Sequence, residues 1–569
     1  MKSWSKIWLP LLVACLPAAL VTVPHEWHYL PVHAALLGMV LASAWYGAWI
    51  EINLHDSIAY RTFLMLVVSL GLTWALYREA PSVNWWVIDD HEIHHLIGSQ
   101  SRVSAAEGLG LMANHIEVCA PSWHHPRYRP AYYSLRILEA VVWGKDIQGW
   151  LFVRCGLFAF SLLLVFDLLR RWLGFASATM AVTMLSVLRM WPELVVRLGP
   201  SETYAAPACA AFAWCAAYIL RNSSLPNRLA WVGLAASAIV AIGTKENFLI
   251  LAPLSLLLAA HLRRNGHLRG TGVAAVASVC LAATLVTSVV AVGIFNNGGR
   301  DIYQRSVGFT GLVNEGAANP AYLWLKFIVR SSPVFLLTGW LAIKSWRLRS
   351  SDSPQRIRFA LGLVLALVAL SQFYFYRGDV FRKNRYDLPY VPLVCMLAIG
   401  LLEYSSRRPV ADPLRRRALR RLLVPGALAI TAMAMGGDRT RLIAHEHSVA
   451  TSLYASRLQA VVAACRQSED RPIIFVVNQF VDFEAIVSVG RYLRSSNVSN
   501  PLHLRPVKHL EPNSLLDQHT LDFFNTASTQ GTADGVFTAC EPFPSDAKPI
   551  EVWFSKDPPA ESVDAFRAH

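Results

Sequence analysis

Apolar runs close to the roughly 20 residues that cover a bilayer recur along the chain at 7–24, 31–50, 60–77, 150–169, 173–191, 203–220, 229–243, 247–262, 271–295, 321–343, 358–376, 388–404 and 420–436. Short polar links separate them. This alternation predicts a mainly α-helical polytopic membrane protein with about thirteen transmembrane helices. After Asp438 the pattern changes. Residues 449–466 and 482–494 carry helical spacing, the second amphipathic, whereas 472–477, 535–539 and 550–554 read as short strands. The chain is therefore expected to divide into a transmembrane part, 1–437, with a large outer loop at 79–149, and a small C-terminal α/β domain, 438–569. No internal repeat is visible, and the tail lacks a 34-residue helical period.

Composition agrees with a membrane protein. Of 569 residues, 54% are apolar and only 16% charged, where a soluble chain carries about 25% charged residues. The formal charge of +14 falls in short clusters between apolar runs, which marks membrane topology and argues against a nucleic-acid partner. With the N-terminus in the cytoplasm, the cytoplasmic links hold Arg170-Arg171, Arg221 to Arg228, His261 to Arg269, Lys344 to Arg358 and Arg407 to Arg421. Each is basic, as the positive-inside rule requires. The apolar run after Met1–Lys6 continues past Cys15 to Val23, so it is expected to be a retained first helix, not a cleaved leader. The nine cysteines show no metal-like spacing and read as small core residues. Cys465 and Cys540 both fall on the outer side, where a disulfide is open to them.

On this topology the polar motifs collect on the outer face. Asp89-Asp90-His91-Glu92 stands where a span gives way to the first outer loop. Carboxylates at such a boundary are costly to ionise, and one of a close pair is suited to act as a general base. The alternative is an acidic helix start. The same stretch spells His91-Glu92-Ile93-His94-His95, an H-E-x-x-H pattern that binds zinc in metallopeptidases, with Glu117 downstream as a third ligand. Arg127-Tyr128-Arg129-Pro130 follows; guanidinium forks suit a phosphate, and interfacial anchoring is the plain alternative. Pro200-Ser201-Glu202-Thr203, with Glu193 nearby, reads as an acidic helix N-terminus. Lys245-Glu246 reads as an ion pair at membrane depth. Arg377, Arg382, Lys383 and Arg385, followed by Tyr386, oppose the positive-inside trend and point to an anionic headgroup or phosphate.

Taken together, Asp89-Asp90, Tyr128-Arg129-Pro130, Pro200 to Thr203, Lys245-Glu246 and Arg385-Tyr386 with Pro389 resemble the motifs of integral-membrane glycosyltransferases of the GT-C fold. Their order is most similar to the transmembrane part of protein O-mannosyltransferases that carry TPR tails, and to their bacterial relatives. The resemblance covers roughly residues 60–405. It implies a polyprenyl-phosphate-linked sugar donor taken from the membrane, and a glycan, lipid or protein acceptor. It implies an active site on the periplasmic side of a bacterial inner membrane, with Asp89 as general base and Asp90 orienting it. Arg127, Arg129, Lys245, Arg382 and Arg385 would face the donor phosphate. Glu92, Glu202 and Glu246 would orient the acceptor or hold a metal; some members use Mg or Mn and others none. Two extra spans precede the common core, and the TPR tail is replaced, so neither sugar nor acceptor carries over. Two other readings stay open: an intramembrane zinc peptidase using His91, Glu92 and His95, and a non-enzymatic lipid transporter or flippase. Against the transporter stands the absence of an inverted repeat.

Overall fold

The computed structural model describes residues 58–86, 90–119, 127–222, 228–296, 385–388, 438–468, 471–477, 483–506, 549–554 and 563–564, with the single residues 298 and 392. The expected spans at 7–24, 31–50, 321–343, 358–376 and 420–436 lie outside them, as does 388–404 apart from residues 388 and 392; so do Arg377, Arg382, Lys383 and Asp89. Numbered within the described residues, the helices of the first part are α1 (Ile58–Tyr77), α2 (His91–Ile97), α3 (Ala105–Asn114), α4 (Pro130–Val142), α5 (Ile147–Leu173), α6 (Phe175–Ser186), α7 (Trp191–Val195), α8 (Glu202–Arg221), α9 (Arg228–Thr244), α10 (Leu251–Arg264) and α11 (Gly270–Asn296).

Among the described residues five stretches are long and apolar enough to cross a membrane: Ala59–Tyr77, Ile147–Arg171, Glu202–Arg221, Glu246–Arg264 and Gly270–Asn296. The protein is an integral membrane protein. α9, with 17 residues, spans only about 25 Å. The expected span at 173–191 is different. Its apolar run folds as the 12-residue α6, followed by a turn and the short α7. At 1.5 Å per residue α6 covers about 18 Å, well short of the bilayer core. The apolar side chains of this run are instead used sideways, with Ala178, Ala181, Val182 and Leu185 wholly buried in the helical core.

Ends of successive spans gather on one face. Gln148 at the start of α5 donates 2.5 Å to the Pro81 carbonyl just beyond α1. The loop between them is tightly built. Ser104 and Glu107 form a reciprocal capping box at the start of α3, which satisfies two otherwise orphaned helix N–H groups. Gly144, at φ +53° and with Ser101 O 2.2 Å from where a Cβ would stand, makes the turn from α4 into α5.

The segment after 438 begins with α12 (Asp438–Arg466) and continues through β1 (Ile473–Val477), α13 (Phe483–Ser495), β2 (Leu502–Pro506), β3 (Ile550–Phe554) and β4 (Val563–Asp564). The four strands form one parallel sheet in the order β2-β1-β3-β4. Parallel strands need both faces covered, and β1 is accordingly an unbroken apolar run, Ile-Ile-Phe-Val-Val. Leu458, Val461 and Cys465 of α12 and Ile486, Val489 and Leu493 of α13 pack on it. Cys465 is fully buried in that core; Cys540 lies outside the described residues.

This segment docks on the loop between α1 and α5 through His94, which is buried, and His447, which is half-buried. His94 of α2 stacks with Trp85 and Tyr492, at 4.5 and 5.1 Å between ring centres, and its Nδ1 lies 3.2 Å from Ser495 Oγ. Burial, with Lys145 and His91 nearby, pushes the His94 imidazole down to about 3. Burial and Arg197 do the same to His447 of α12. Between those values and the ordinary 6.5, the unfolded chain binds protons that the native chain does not. The stability these two groups contribute is therefore complete above about pH 6.5 and is lost as pH falls toward 3. Melting of the detergent-solubilised protein should show a transition temperature that drops between pH 7 and pH 5. Replacing His94 and His447 by phenylalanine should flatten that drop.

Candidate functional site

The site is built where α4, α8 and α9 meet. Pro130 takes the first helical position of α4, where its missing N–H costs nothing, and so places Arg129 at the helix mouth. Glu202 opens α8 and is 1% exposed. α9 ends at Thr244; Lys245 then adopts an extended backbone before Glu246–Ile250 winds into a tight 3-10 turn. α9 approaches α4 closely at Gly243, where a Cβ would stand 2.8 Å from the Ala131 Cβ. The absence of a side chain there brings Lys245 and Glu246 beside Arg129.

Lys245 and Glu246 do not pair with each other, contrary to the reading of the sequence. Neighbouring residues in extended chain project to opposite sides, so the two reach different partners. Lys245 Nζ makes a short ion pair with Glu202. Glu246 receives Arg129 Nε and Nη2 at 3.4 and 3.5 Å. Each charge is largely buried, with side-chain exposures from 1% to 17%. A late segment completes the cluster. Tyr386 lies under Lys245 at 4.7 Å and under Arg385 at 5.3 Å, both cation–π contacts. The Arg385 backbone N–H reaches Glu193 Oε2 at 3.4 Å. Thus Arg129, Glu202, Lys245, Glu246 and Arg385, spread over more than 250 positions of the sequence, converge.

A second layer ties the first loop to this cluster. Tyr133 donates to Glu92 Oε1 at 3.3 Å and stacks on His115 at 4.1 Å. Tyr128, buried, donates to the Val118 carbonyl at 3.0 Å. Beside it Glu117 is 4% exposed, and its Oε2 has no hydrogen-bond partner among the described residues. Burial pushes the Glu117 carboxyl up to about 7, against the pull of Arg129 and Arg127; Glu246 and Glu92 add to the rise. The electrostatics are simple: two guanidinium groups already face two carboxylates, so an ionised Glu117 would be an unmatched buried charge. Arg129 shows the converse. Burial opposes its charge, but Glu246 and Glu117 outweigh that and hold it firmly protonated.

Asp90 is 1% exposed and accepts the Trp86 backbone N–H at 2.9 Å on Oδ2. It opens α2 without capping it. In the H-E-x-x-H stretch, His91 is buried while His95 is exposed, although the i, i+4 spacing is helical. Among the described residues no group of three or more His, Cys, Asp and Glu is placed to hold a metal. Glu202 and Glu246, the carboxylates expected to serve a divalent ion, each face a cation instead.

Below the cluster lies a polar network absent from the reading of the sequence. Arg154, fully buried in the span of α5, makes a two-pronged pair with Glu139 at 3.0 and 2.8 Å and donates to Tyr204 Oη at 2.9 Å. Arg136, also buried, donates twice to Tyr132 Oη, which itself donates to the Gly199 carbonyl at 2.6 Å. The network bolts α4, α5 and α8 together beneath Arg129 and Glu202. Its one sequence signal is an arginine, Arg154, inside the apolar run 150–169.

No protein-family model and no curated protein matches the chain. Among solved structures it is similar to ArnT from Cupriavidus metallidurans in two states. The crystal structure with undecaprenyl phosphate bound has a TM-score of 0.40 and 16% identity, with 84% of this chain and 92% of that chain covered. The apo crystal structure has a TM-score of 0.41 at the same identity and coverage.

Two measurements check this geometry. Infrared difference spectra should show a protonated carboxyl that ionises near pH 7 and vanishes in Glu117→Gln. Gly243→Val should push α9 off α4; we expect a loss of about 1–3 kcal/mol from overpacking, read as a lower denaturation midpoint, whereas a Gly156→Ala control in α5, where a Cβ would meet nothing within 4 Å, should be nearly silent.

Proposed function

We propose that the chain is a membrane glycosyltransferase that moves a sugar from a polyprenyl-phosphate donor to an acceptor hydroxyl at the periplasmic face. The observation that carries this reading is the convergence of Arg129, Glu202, Lys245, Glu246 and Arg385 at one end of the helical bundle. These residues belong to four motifs that the sequence strings out over more than 250 positions. Such a cluster, at the boundary of apolar spans, is the chemistry a membrane-held phosphate calls for: buried cations kept in place by carboxylates, with aromatic rings beside them.

In this reaction the acceptor oxygen attacks the anomeric carbon, and the bond from that carbon to the phosphate oxygen breaks. Asp89 takes the acceptor proton, and polyprenyl phosphate leaves with the bonding pair. Lys245 and Arg385 both pack on the Tyr386 ring, so they are assigned to the charge that grows on the leaving phosphate. Arg129 and Arg127 are assigned to the same donor phosphate. Glu202 and Glu246 position Lys245 and Arg129, and Glu92, through Tyr133, faces the acceptor. Asp90 holds the loop that carries Asp89 in sequence.

The test uses purified protein with polyprenyl phosphate carrying a hexose, a pentose or an N-acetylhexosamine, each offered with extracted periplasmic glycan and lipid as acceptors. Transfer should occur with one donor class. Asp89→Asn should lower kcat about a hundredfold or more while binding of unglycosylated polyprenyl phosphate is retained. Normal turnover in that variant would overturn the assignment of the base, and no transfer from any donor would overturn the function.

A further inference from the structure

The segment between α1 and α2 runs along one stripe of α12. Glu79 Oε2 lies 2.6 Å from His445 Nδ1. Ser82 Oγ lies 2.7 Å from Ser448 Oγ. The Asn84 backbone N–H donates to Thr451 Oγ1 at 3.0 Å, and the Trp86 ring packs against His447 and Tyr454 at 5.1 and 6.2 Å. The first three contacts advance in step along both chains, and Ser452 Oγ donates to the Ser82 carbonyl at 3.2 Å. Residues 445, 448 and 451 to 452 are spaced three and four apart, which is one face of a helix. Trp86, at the end of the row, gives its backbone N–H to Asp90.

An interaction of this kind does more than anchor a tail. The loop carries few regular backbone hydrogen bonds of its own between Val83 and Trp86, so its path is set by what it leans on. On the far side of Asp90, α2 is held in turn by α13 through the buried contact of His94 with Tyr492 and Ser495. The acidic position is therefore approached and left by chain that the C-terminal segment supports.

We propose that α12 is a splint for the catalytic loop, with Thr451 and His447 as positioning residues that act on Asp90 through Asn84 and Trp86. The proposal rests on the transferase reading for what the loop does, and on these contacts alone for how it is held.

The test compares Thr451→Val, which keeps the shape and removes the acceptor oxygen, with Thr451→Ser, which restores it, and with His447→Ala at a half-buried position. Hydrogen exchange of the full-length protein in detergent should rise about tenfold over residues 83–97 in Thr451→Val and His447→Ala, the effect of one lost loop hydrogen bond or ring contact. The spans and β1 should keep their protection. Transfer kcat should fall while the donor KM stays constant, and Thr451→Ser should recover both readouts. Unchanged exchange over 83–97 overturns the splint, as does raised exchange with unchanged kcat. If the wild-type protein transfers no sugar yet exchange responds as described, the transferase reading falls and the splint stands.

Discussion

Two crossed ion pairs, Lys245 with Glu202 and Arg129 with Glu246, hold the upper end of the helical bundle together. Each joins elements that are remote in sequence: α8 to the link after α9, and α4 to the 3-10 turn before α10. Removing one member of such a pair strands a buried charge, at a cost of about 3–5 kcal/mol. Replacing the pairs with apolar contacts would often be neutral for stability. Their presence at the mouth of a membrane bundle is therefore better explained by what they hold in readiness than by what they add to folding. A cation already balanced by a carboxylate is desolvated and oriented in advance, which is the condition under which it acts most strongly on a developing negative charge.

The network of Arg154, Glu139, Tyr204, Arg136 and Tyr132 sits directly beneath and serves a different end. Here the polar groups are almost all satisfied by one another, and rings cover the guanidinium faces. Such a network fixes the relative height of α4, α5 and α8. The pairs above need that fixed base, because a shift of about 1 Å would open a hydrogen bond between groups already at 3.4 to 3.5 Å.

Much of the fold was legible because burial in lipid or in a parallel sheet leaves a one-dimensional trace. The runs at 60–77, 150–169, 203–220 and 271–295 appear as long helices, and the expected strand 550–554 coincides with β3. The strand at 472–477 is β1 to within a residue, and the helix at 482–494 is α13. The failures have physical causes. α12 begins eleven residues before the expected 449 because its first turns are polar and spend their contacts on the outer loop, not on a core. β2, Leu-His-Leu-Arg-Pro, was missed because its alternation is short and ends in proline. The run at 173–191 looked like a span because hydropathy does not distinguish burial in protein from burial in lipid. At the site, sequence order named the charged residues but paired Lys245 with its neighbour; only the extended backbone there decides otherwise. Glu117, known from the sequence only as a distant third zinc ligand, owes its character to burial that no local pattern records.

Glu117 also shows how the charge of this site is set. Burial, helped by Glu246 and Glu92, outweighs the pull of Arg129 and Arg127 on its carboxyl, so at neutral pH its proton is held at the margin. Any dianionic group that enters beside the two arginines competes with Glu117 for the same positive field and raises its affinity for a proton further. Departure of that group reverses the effect. On the proposed function, a phosphate arriving beside these arginines would be matched by uptake of this proton and its departure by release. Where each uncompensated buried charge is expensive, such a proton would offset the charge of an entering anion without any rearrangement of the ion pairs already formed.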